Sequence, residues 1–276
     1  MPELPEVQTI VNDLNAAGLI GDRIRSVKVY WPGSIAEPPP RVFVRRLQGQ
    51  FVAAIRRRGK YLVFDLAGVD KLLIHLRMSG RLNLVSTVTE RSKHEHVILE
   101  FASQRQLRFQ DTRKFGRLYL VRNPDKILGH LGPEPLAPGF TLRMLAEALR
   151  SRKRLLKPLL LDQTFIAGLG NIYVDEALWE AKIHPCRLSS SLAGSEIKAL
   201  HRAVPRVLAR GLQNFGTTLG TGETTFYSIG QNRGRNRDQL RVFRRTGLPC
   251  PRCQATIERL VVGQRSTHVC PRCQKL

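Results

Sequence analysis

Four cysteines near the C-terminal end constrain the fold more than any other feature of the chain. Cys250-Pro-Arg-Cys253 and Cys270-Pro-Arg-Cys273 are two C-x2-C pairs separated by 16 residues, the spacing of a tetrahedral four-cysteine zinc site. Disulfides or a redox pair are the competing interpretations, and two similar pairs in a strongly basic chain favour zinc. Four thiolates close the coordination sphere, so we predict one structural Zn²⁺. The fifth cysteine, Cys186, is interpreted as a buried or incidental thiol.

The net charge predicts a polyanionic partner. The 276 residues include 45 Lys and Arg against 22 Asp and Glu, which gives a formal net charge of +23. Basic residues are interleaved with apolar ones along the whole chain, and 42% of the residues are hydrophobic. A disordered basic tail is therefore excluded, and two domains with a small appendage are expected. No run of 18 apolar residues and no signal-peptide core is present, so we expect an intracellular protein that does not use a membrane.

The first six residues, Met-Pro-Glu-Leu-Pro-Glu, suggest an N-terminal nucleophile. Removal of Met1 would expose the secondary amine of Pro2, which can attack an electrophilic carbon and form a cationic iminium. Glu3 and Glu6 would supply acid and base functions beside it, provided that burial or pairing separates their pKa values. The competing interpretation is that the prolines stiffen the terminus and the glutamates charge the first turn of a helix.

Hydrophobic spacing predicts a β-rich first half. Val7, Ile10, Val11 and Leu14 are at helical spacing, so the terminal motif is expected to lead directly into a helix. Short runs joined by glycine-bearing turns follow and predict an antiparallel sandwich or barrel. These runs are Ile24–Trp31, Phe51–Ile55, Tyr61–Leu66, Lys71–Leu76, Arg81–Val85, His96–Phe101, Gln106–Phe109 and Arg117–Val121.

The second half is predicted to be helical and to end in the cysteine module. Residues 131–139 hold three prolines and two glycines and are interpreted as a linker. The last predicted helix contains Pro205, where a kink is expected. The predicted helices are Thr141–Arg150, Leu155–Leu161, Tyr173–Ala181 and Ser195–Leu212.

The terminal Pro2-Glu3-Leu-Pro-Glu6 motif, a basic helical middle and a four-cysteine finger together resemble the formamidopyrimidine-DNA glycosylases over nearly the full length. The resemblance implies a multidomain α+β fold. An N-terminal helix and antiparallel β-sandwich would occupy 1–134, a helical domain with a helix-two-turn-helix 135–230, and the zinc finger 238–276. It implies that Pro2 attacks C1′ of the damaged nucleotide, that Glu3 acts in ring opening and proton transfer, and that Glu6 supports the site.

Three short segments match motifs of that family and imply DNA contacts. Arg-Gly-Lys60-Tyr-Leu matches a hairpin whose lysine contacts phosphate near the lesion and assists the site. His75-Leu-Arg-Met78-Ser-Gly matches a loop whose methionine enters the gap left by the everted base. Arg113-Lys-Phe115-Gly matches a loop whose arginine pairs with the orphaned base and whose phenylalanine wedges into the stack. Taken alone, Met78 and Phe115 would more often be core residues.

The segment 157–176 matches the family's helix-two-turn-helix almost residue for residue. By this resemblance Lys157 and Asn171 would contact the DNA backbone, and the glycine-rich turn before Asn171 would present backbone N–H groups to a phosphate. The competing interpretation is an ordinary helical hairpin. In the finger, a hairpin would carry Arg259 and Arg265 towards phosphates.

The chain departs from the family pattern at three places. Where the family often has Gly-x-x-Gly-x-Phe-Gln, after the loop that folds over the everted base, residues 229–238 read Ile-Gly-Gln-Asn-Arg-Gly-Arg-Asn-Arg-Asp. Where Val-Tyr-Gly-Arg is common, residues 242–245 read Val-Phe-Arg-Arg. Gln8 stands where many relatives have Glu. These departures leave open the choice of damaged base.

The resemblance implies a bifunctional repair enzyme of bacterial cytoplasm, associated with the nucleoid, that acts as a monomer on duplex DNA containing an oxidised base. It would excise 8-oxoguanine or formamidopyrimidines and cleave the strand by β- and δ-elimination. One rival is the endonuclease VIII branch, which prefers oxidised pyrimidines, and Leu4, Met78, Arg113 and Phe115 argue against it. The other is a non-catalytic zinc protein that binds nucleic acid, which would leave Pro2 and Glu3 without a role.

Overall fold

A computed structural model describes residues 1–220, 226–230 and 232–276 of the chain. The chain forms two compact units, one of residues 1–130 with 214–235 and the other of residues 131–213 with 236–276. The three domains predicted from the sequence, 1–134, 135–230 and 238–276, stay a prediction. The stretch 131–139 forms neither helix nor strand.

The first unit contains three α-helices and nine strands among its described residues. Helix α1 begins directly after Glu3, which caps it, and Pro5 lies in its first turn, where a missing N–H costs no hydrogen bond. The helices are α1 (Leu4–Ala16), α2 (Pro40–Leu47) and α3 (Asp125–Leu128). The strands are β1 (Ile24–Val29), β2 (Ile35–Glu37), β3 (Val52–Arg58), β4 (Tyr61–Leu66), β5 (Lys71–His75), β6 (Gly80–Ser86), β7 (Glu95–Phe101), β8 (Arg105–Asp111) and β9 (Arg117–Val121).

The strands form two sheets that share one apolar core, so the predicted sandwich is confirmed. The orders are β1-β7-β8-β6 and β2-β9-β5-β4-β3. Leu14 of α1, Phe64 of β4 and Phe109 of β8 are each buried in the same hydrophobic cluster. One pairing differs from the antiparallel expectation, because β2 runs parallel to β9. Strand β2 has three residues, too few to show a hydrophobic period, and for this reason the sequence did not reveal it.

The second unit is helical and ends in a two-stranded hairpin. Glycine at position 211 lets α7 approach α6 closely, since a Cβ there would lie 2.5 Å from the Tyr173 hydroxyl. Helix α7 continues through Pro205. The elements are α4 (Leu142–Arg150), α5 (Leu156–Leu161), α6 (Asn171–Ala181), α7 (Gly194–Gln213), β10 (Glu258–Val262) and β11 (Arg265–Val269). Among the described residues, no helix is long and apolar enough to cross a membrane.

Arg108 is a fully buried cation in the first unit, and it generates a stability prediction. Its guanidinium bonds the Glu95 carboxylate at 3.0 Å, the Gln106 side chain at 2.9 Å and the Glu90 carbonyl at 2.8 Å. Arg108→Met would leave the Glu95 charge buried without its cationic partner. We therefore expect the free energy of unfolding, measured in urea, to fall by about 3–5 kcal/mol. Arg56→Met, which removes a more exposed pair with Asp65 while Asp65 keeps its pair with Lys71, should lower the free energy of unfolding by about 1 kcal/mol or less. Equal losses in the two variants would contradict this account.

Candidate active site and metal centre

The N-terminus of α1 brings two buried carboxylates together. The Glu3 N–H donates to Glu6 Oε2 at 2.8 Å, and the Glu6 N–H donates back to the Glu3 side chain, which makes a reciprocal capping box. Glu3 and Glu6 are 3% and 1% exposed, and Pro2 is buried beside them. The glutamates cap the first turn of α1, which the competing interpretation also allows, and the catalytic roles of Pro2, Glu3 and Glu6 stay a prediction.

A distant segment of the same unit completes the surroundings of Glu6. The Thr217 N–H donates to Glu6 Oε1 at 2.7 Å. Gly216 has φ +81°, and a Cβ there would lie 2.9 Å from Glu6 Cγ, so glycine is required for this approach. Both oxygens of Glu6 therefore accept backbone N–H groups. Sequence reasoning missed Thr217, although the Gly-Thr-Thr run directly after a long helix was a usable signal for a turn.

Lys60 lies at the turn between β3 and β4 and is 5% exposed. The Arg57 side chain stabilises this turn by two hydrogen bonds. It donates to Gln8 Oε1 at 3.1 Å, which orients the guanidinium, and to the Gly59 carbonyl at 2.9 Å. Gln8, noted above as a departure from the family pattern, thus helps to position the hairpin that carries Lys60.

Burial and nearby charged side chains change the pKa of the terminal amine. In the full chain this amine belongs to Met1. Burial lowers its pKa, the Glu3 and Glu6 carboxylates oppose that effect, and the positive charges of Lys60 and Arg113 lower it further. Lys60 and Arg113 therefore place positive charge near the chain terminus, where the predicted Pro2 nucleophile lies.

Two neighbouring loops present the side chains predicted to fill the gap in DNA. Met78 and Phe115 are 39% and 48% exposed and line the same open cleft. The Arg113 guanidinium carbon lies 4.8 Å from the centre of the Phe115 ring, a cation–π distance. Exposed apolar side chains on loops beside a cation suit a stacked base better than a core.

His75, predicted to contact DNA, is 7% exposed and lies below these loops. Burial, followed by the charges of Arg77 and Lys60, lowers the pKa of His75 to about 3. Its Nδ1 accepts the Arg77 N–H at 3.0 Å, and its ring meets the Tyr61 ring edge-on at 4.5 Å. His75 is therefore neutral and orients the loop, and its contact with DNA stays a prediction.

Lys157, for which the resemblance implied a contact with the DNA backbone, is held in a buried network, and its contact with DNA stays a prediction. It is 0% exposed, and its ammonium group bonds Asp175 at 2.6 Å and the Ser266 carbonyl at 2.9 Å. Asp175 also accepts the His268 N–H at 2.9 Å. This buried network joins α5 and α6 to β11, and it argues for a structural role. Asn171, half-buried at the start of α6, donates to the same Ser266 carbonyl at 2.9 Å.

The four cysteine sulfurs form the metal-binding group of the described residues, and all lie within 4.8 Å of one another. Zinc–sulfur bonds of about 2.3 Å in a tetrahedron place sulfurs about 3.8 Å apart. The Cys250–Cys273 and Cys253–Cys270 separations of 4.0 and 3.4 Å fit that geometry. The site therefore fits one structural zinc ion, as predicted.

The finger is attached to α6 and carries two exposed arginines. The Trp179 indole N–H donates to Cys250 Sγ at 3.4 Å, and Arg252 stacks on the Trp179 ring at 3.9 Å. Arg259 and Arg265 lie exposed on β10 and β11. Their position is compatible with the predicted phosphate contacts, which stay a prediction.

Three family models match the chain. The formamidopyrimidine-DNA glycosylase N-terminal domain matches residues 1–118, the H2TH domain of the same enzymes matches 131–222, and a zinc finger found in FPG and IleRS matches 247–276.

Relatives and solved structures are similar over the whole length. A formamidopyrimidine-DNA glycosylase of Protochlamydia amoebophila is 50% identical, with 100% of each chain covered. A Lactococcus lactis FPG mutant in complex with DNA containing Fapy-dG has a TM-score of 0.92 at 36% identity, and a MutM bound to DNA containing carbocyclic 8-oxo-G has 0.91 at 36%. Both structures cover 100% of each chain.

The electrostatics of the terminal amine generate a pH prediction. The charge of Lys60 lowers the pKa of the Met1 amine, and we expect it to act in the same direction on the Pro2 amine exposed by removal of Met1. Lys60→Met should then raise the pKa of the Pro2 amine, and the rising limb of covalent trapping of an aldehyde-bearing DNA should move to higher pH. The midpoint of that limb is the quantity to measure, since weaker binding changes amplitude but not midpoint. Lys71→Met is the matched control, because Lys71 pairs with Asp65 in the same sheet. A midpoint that moves equally in both variants would contradict the assignment.

The buried position of Lys157 generates a prediction that separates its two possible roles. Lys157→Met leaves Asp175 buried without its cation, so we expect a loss of about 3 kcal/mol in stability and faster release of zinc to a chelator. Lys153→Met, at an exposed position of the same unit, is the control and should change neither. If Lys157 contacts phosphate instead, its variant will keep stability and zinc, and the slope of log affinity against log salt will fall by roughly one.

Proposed function

The chain belongs to the formamidopyrimidine-DNA glycosylase family, and from this membership and its terminal site we propose that it excises oxidised purines from duplex DNA and then cleaves the strand. The observation that carries the proposal is the buried pair of carboxylates at the amino end of α1, directly beside Pro2. Burying two carboxylates is costly unless they are hydrogen-bonded, and the capping box and the Thr217 N–H supply those hydrogen bonds here. Buried titratable groups with specific partners beside a candidate nucleophile are typical of catalytic sites, which supports the proposal.

The proposed reaction begins after removal of Met1. The Pro2 nitrogen forms a bond to C1′ as the C1′–N bond to the base breaks, and the base leaves with the proton that the Pro2 nitrogen gives up. The nitrogen lone pair then opens the sugar ring to an iminium, while the ring oxygen takes a proton from Glu3. Loss of a C2′ proton expels the 3′ phosphate, a second elimination expels the 5′ phosphate, and water releases Pro2.

Glu3 and Glu6 have different roles in this proposal because their surroundings differ. Glu6 accepts the Glu3 and Thr217 N–H groups on its two oxygens, so its charge is held and its side chain is fixed. Glu6 therefore supports the site rather than exchanging protons. Glu3, next to Pro2 in the chain, is the proton-transfer group.

The remaining parts supply DNA binding. Met78 and Phe115 would fill the gap left by the everted base, and Arg113 would pair with the orphaned base. Arg259 and Arg265 would contact phosphates from the zinc finger. The net charge of +23 suits this polyanionic partner. The segment at 229–238 includes Gln231, which lies outside the described residues, and whether this segment caps the everted base is left out of the proposal.

The enzyme is proposed to act as a monomer in bacterial cytoplasm, where its chromosomal substrate lies. The relatives named above come from bacteria. The choice of oxidised purines over oxidised pyrimidines rests on Leu4, Met78, Arg113 and Phe115, so the test must include both lesion classes.

Substitution of Glu3 tests the chemical assignment. Glu3→Gln should reduce release of 8-oxoguanine by at least about a hundredfold, because it deletes a proton-transfer group, while affinity for the duplex stays within roughly threefold of the unmodified protein. Glu147→Gln, exposed on α4, is the control. If Glu3→Gln lost DNA binding and excision to the same extent, the assignment of Glu3 to proton transfer rather than DNA binding would be wrong.

Borohydride trapping on a panel of lesions completes the test. The trapped adduct should map to the N-terminal peptide beginning at Pro2, and 8-oxoguanine or formamidopyrimidine duplexes should be incised faster than an oxidised pyrimidine. An adduct at Lys60, or an N-terminus that retains Met1 by intact mass, would contradict the mechanism. Faster incision of the pyrimidine would favour the endonuclease VIII alternative.

A further inference from the structure

Asp111, at the end of β8, is a buried carboxylate to which sequence reasoning gave no role. It is 0% exposed. One oxygen, Oδ2, accepts the Gly116 N–H at 2.7 Å, and the other, Oδ1, accepts the Arg113 N–H at 3.2 Å. The side chain thus spans the base of the loop that carries Arg113 and Phe115.

The same carboxylate also holds the second loop. The Ser79 hydroxyl donates to Asp111 Oδ1, and Ser79 Oγ accepts the Arg113 N–H at 3.2 Å. Ser79 directly follows Met78 in the chain. A three-membered network of Asp111, Ser79 and the Arg113 N–H therefore joins the Met78 loop to the Arg113 loop.

The backbone of Asp111 is anchored as firmly as its side chain. Its carbonyl accepts the His96 ring nitrogen at 2.8 Å and the Lys114 N–H at 3.3 Å, and its own N–H donates to the His94 carbonyl at 3.0 Å. These bonds fix the carboxylate relative to the sheet, so a loop tied to it is tied to the rigid core of the unit.

Both loops contain strained residues that need such support. Arg77 and Lys114 have φ values of +53° and +61°, a region that side chains other than glycine rarely adopt. Gly116 is tightly confined, since a Cβ there would lie 2.5 Å from Phe109 Cζ and 3.2 Å from Asp111 Oδ2. The hydrogen bonds of Ser79 and Asp111 to the Arg113 and Gly116 N–H groups help to hold the Arg113 loop in this conformation.

We propose that Asp111 is a positioning residue that locks the two loops into one preorganised wedge and thereby sets the selection of the base opposite the lesion. The proposal rests on the proposed function. Met78, Arg113 and Phe115 must enter the duplex together, and a fixed spacing among them removes the ordering cost at the moment of insertion. Asp111 itself touches neither the reacting atoms nor, in this proposal, the DNA.

Asp111→Asn is the direct test. An asparagine side chain has one oxygen and one NH2 group. The NH2 group would face the backbone N–H of either Gly116 or Arg113, so one of the two hydrogen bonds would become a contact between two donors. We expect a loss of roughly tenfold in excision from an 8-oxoguanine duplex and a smaller ratio of the rates opposite cytosine and adenine. Cleavage of an abasic site in single-stranded DNA, which has no opposite base and no stack to open, should change less than about threefold.

Variants of Ser79 keep the test decisive if Asp111→Asn does not fold. Ser79→Ala removes the bond between the loops but leaves Asp111 with its backbone donors, whereas Ser79→Thr keeps the hydroxyl and should restore selection. Ser103→Ala is the matched control, because Ser103 donates to the carboxylate of Asp22 on another turn of the same unit. Fluorescence of 2-aminopurine opposite the lesion reports insertion: it should fall in Ser79→Ala and stay unchanged in Ser103→Ala.

The outcomes are distinguishable from those of the proposed function. If the unmodified protein does not excise 8-oxoguanine, the proposed function fails. If it does, and Ser79→Ala keeps both its opposite-base ratio and its fluorescence signal, the role of Asp111 is overturned while the function stands. Equal losses on duplex and single-stranded substrates would also overturn it, because they would indicate general damage to the unit rather than to the wedge.

Discussion

The reciprocal hydrogen bonds between Glu3 and Glu6 are the interaction on which the proposed chemistry depends. They cap α1 and at the same time hold two carboxylates in a buried position beside Pro2. The capping box satisfies helix N–H groups that would otherwise be without partners, and the positive end of the helix dipole favours the negative charges. Helix initiation and active-site assembly are therefore the same local event, and Thr217 closes the site from a segment some 200 residues away along the chain.

Buried carboxylates recur as anchors throughout this basic protein. Asp111 ties two loops in the first unit, and in the second unit the adjacent Asp175 and Glu176 of α6 hold the C-terminal segment. Glu176 accepts the N–H groups of Arg241, Val242 and Phe243 at 2.9–3.0 Å. Burial raises the pKa of Glu176, and those three N–H groups oppose the effect.

This use of acids has a physical basis in the charge balance. With 45 cationic and 22 acidic side chains, a surface acid would reduce the attraction of DNA, whereas a buried acid organises loops through backbone donors. Arginines at the surface remain available for phosphate. The loop that carries Arg113 is held in place by hydrogen bonds to the buried Asp111 carboxylate. The buried acids Glu6, Asp111 and Glu176 each accept backbone N–H groups that hold neighbouring segments in place.

The sequence alone determined the features that depend on local spacing. The four cysteine ligands, the proline and glutamates of the terminus, and the eight longer strands of the sandwich all follow from residues close together in the chain, since coordination spacing and hydrophobic period are local properties. The family resemblance extended this to the two loops that bear Met78 and Phe115. Helix α2 was not predicted, because it has eight residues and only Phe43 and Leu47 are buried, too few to show a helical hydrophobic period.

Only the tertiary structure decided which polar groups meet across long separations. The Thr217 contact with Glu6, the tie between Asp111 and Ser79, and the burial of Lys157 against Asp175 each join residues that no periodicity relates. A lysine has the same sequence signature whether it faces a phosphate or a buried carboxylate. Folding distinguishes the two, because the cost of burying its charge is offset only where a specific partner is already in place.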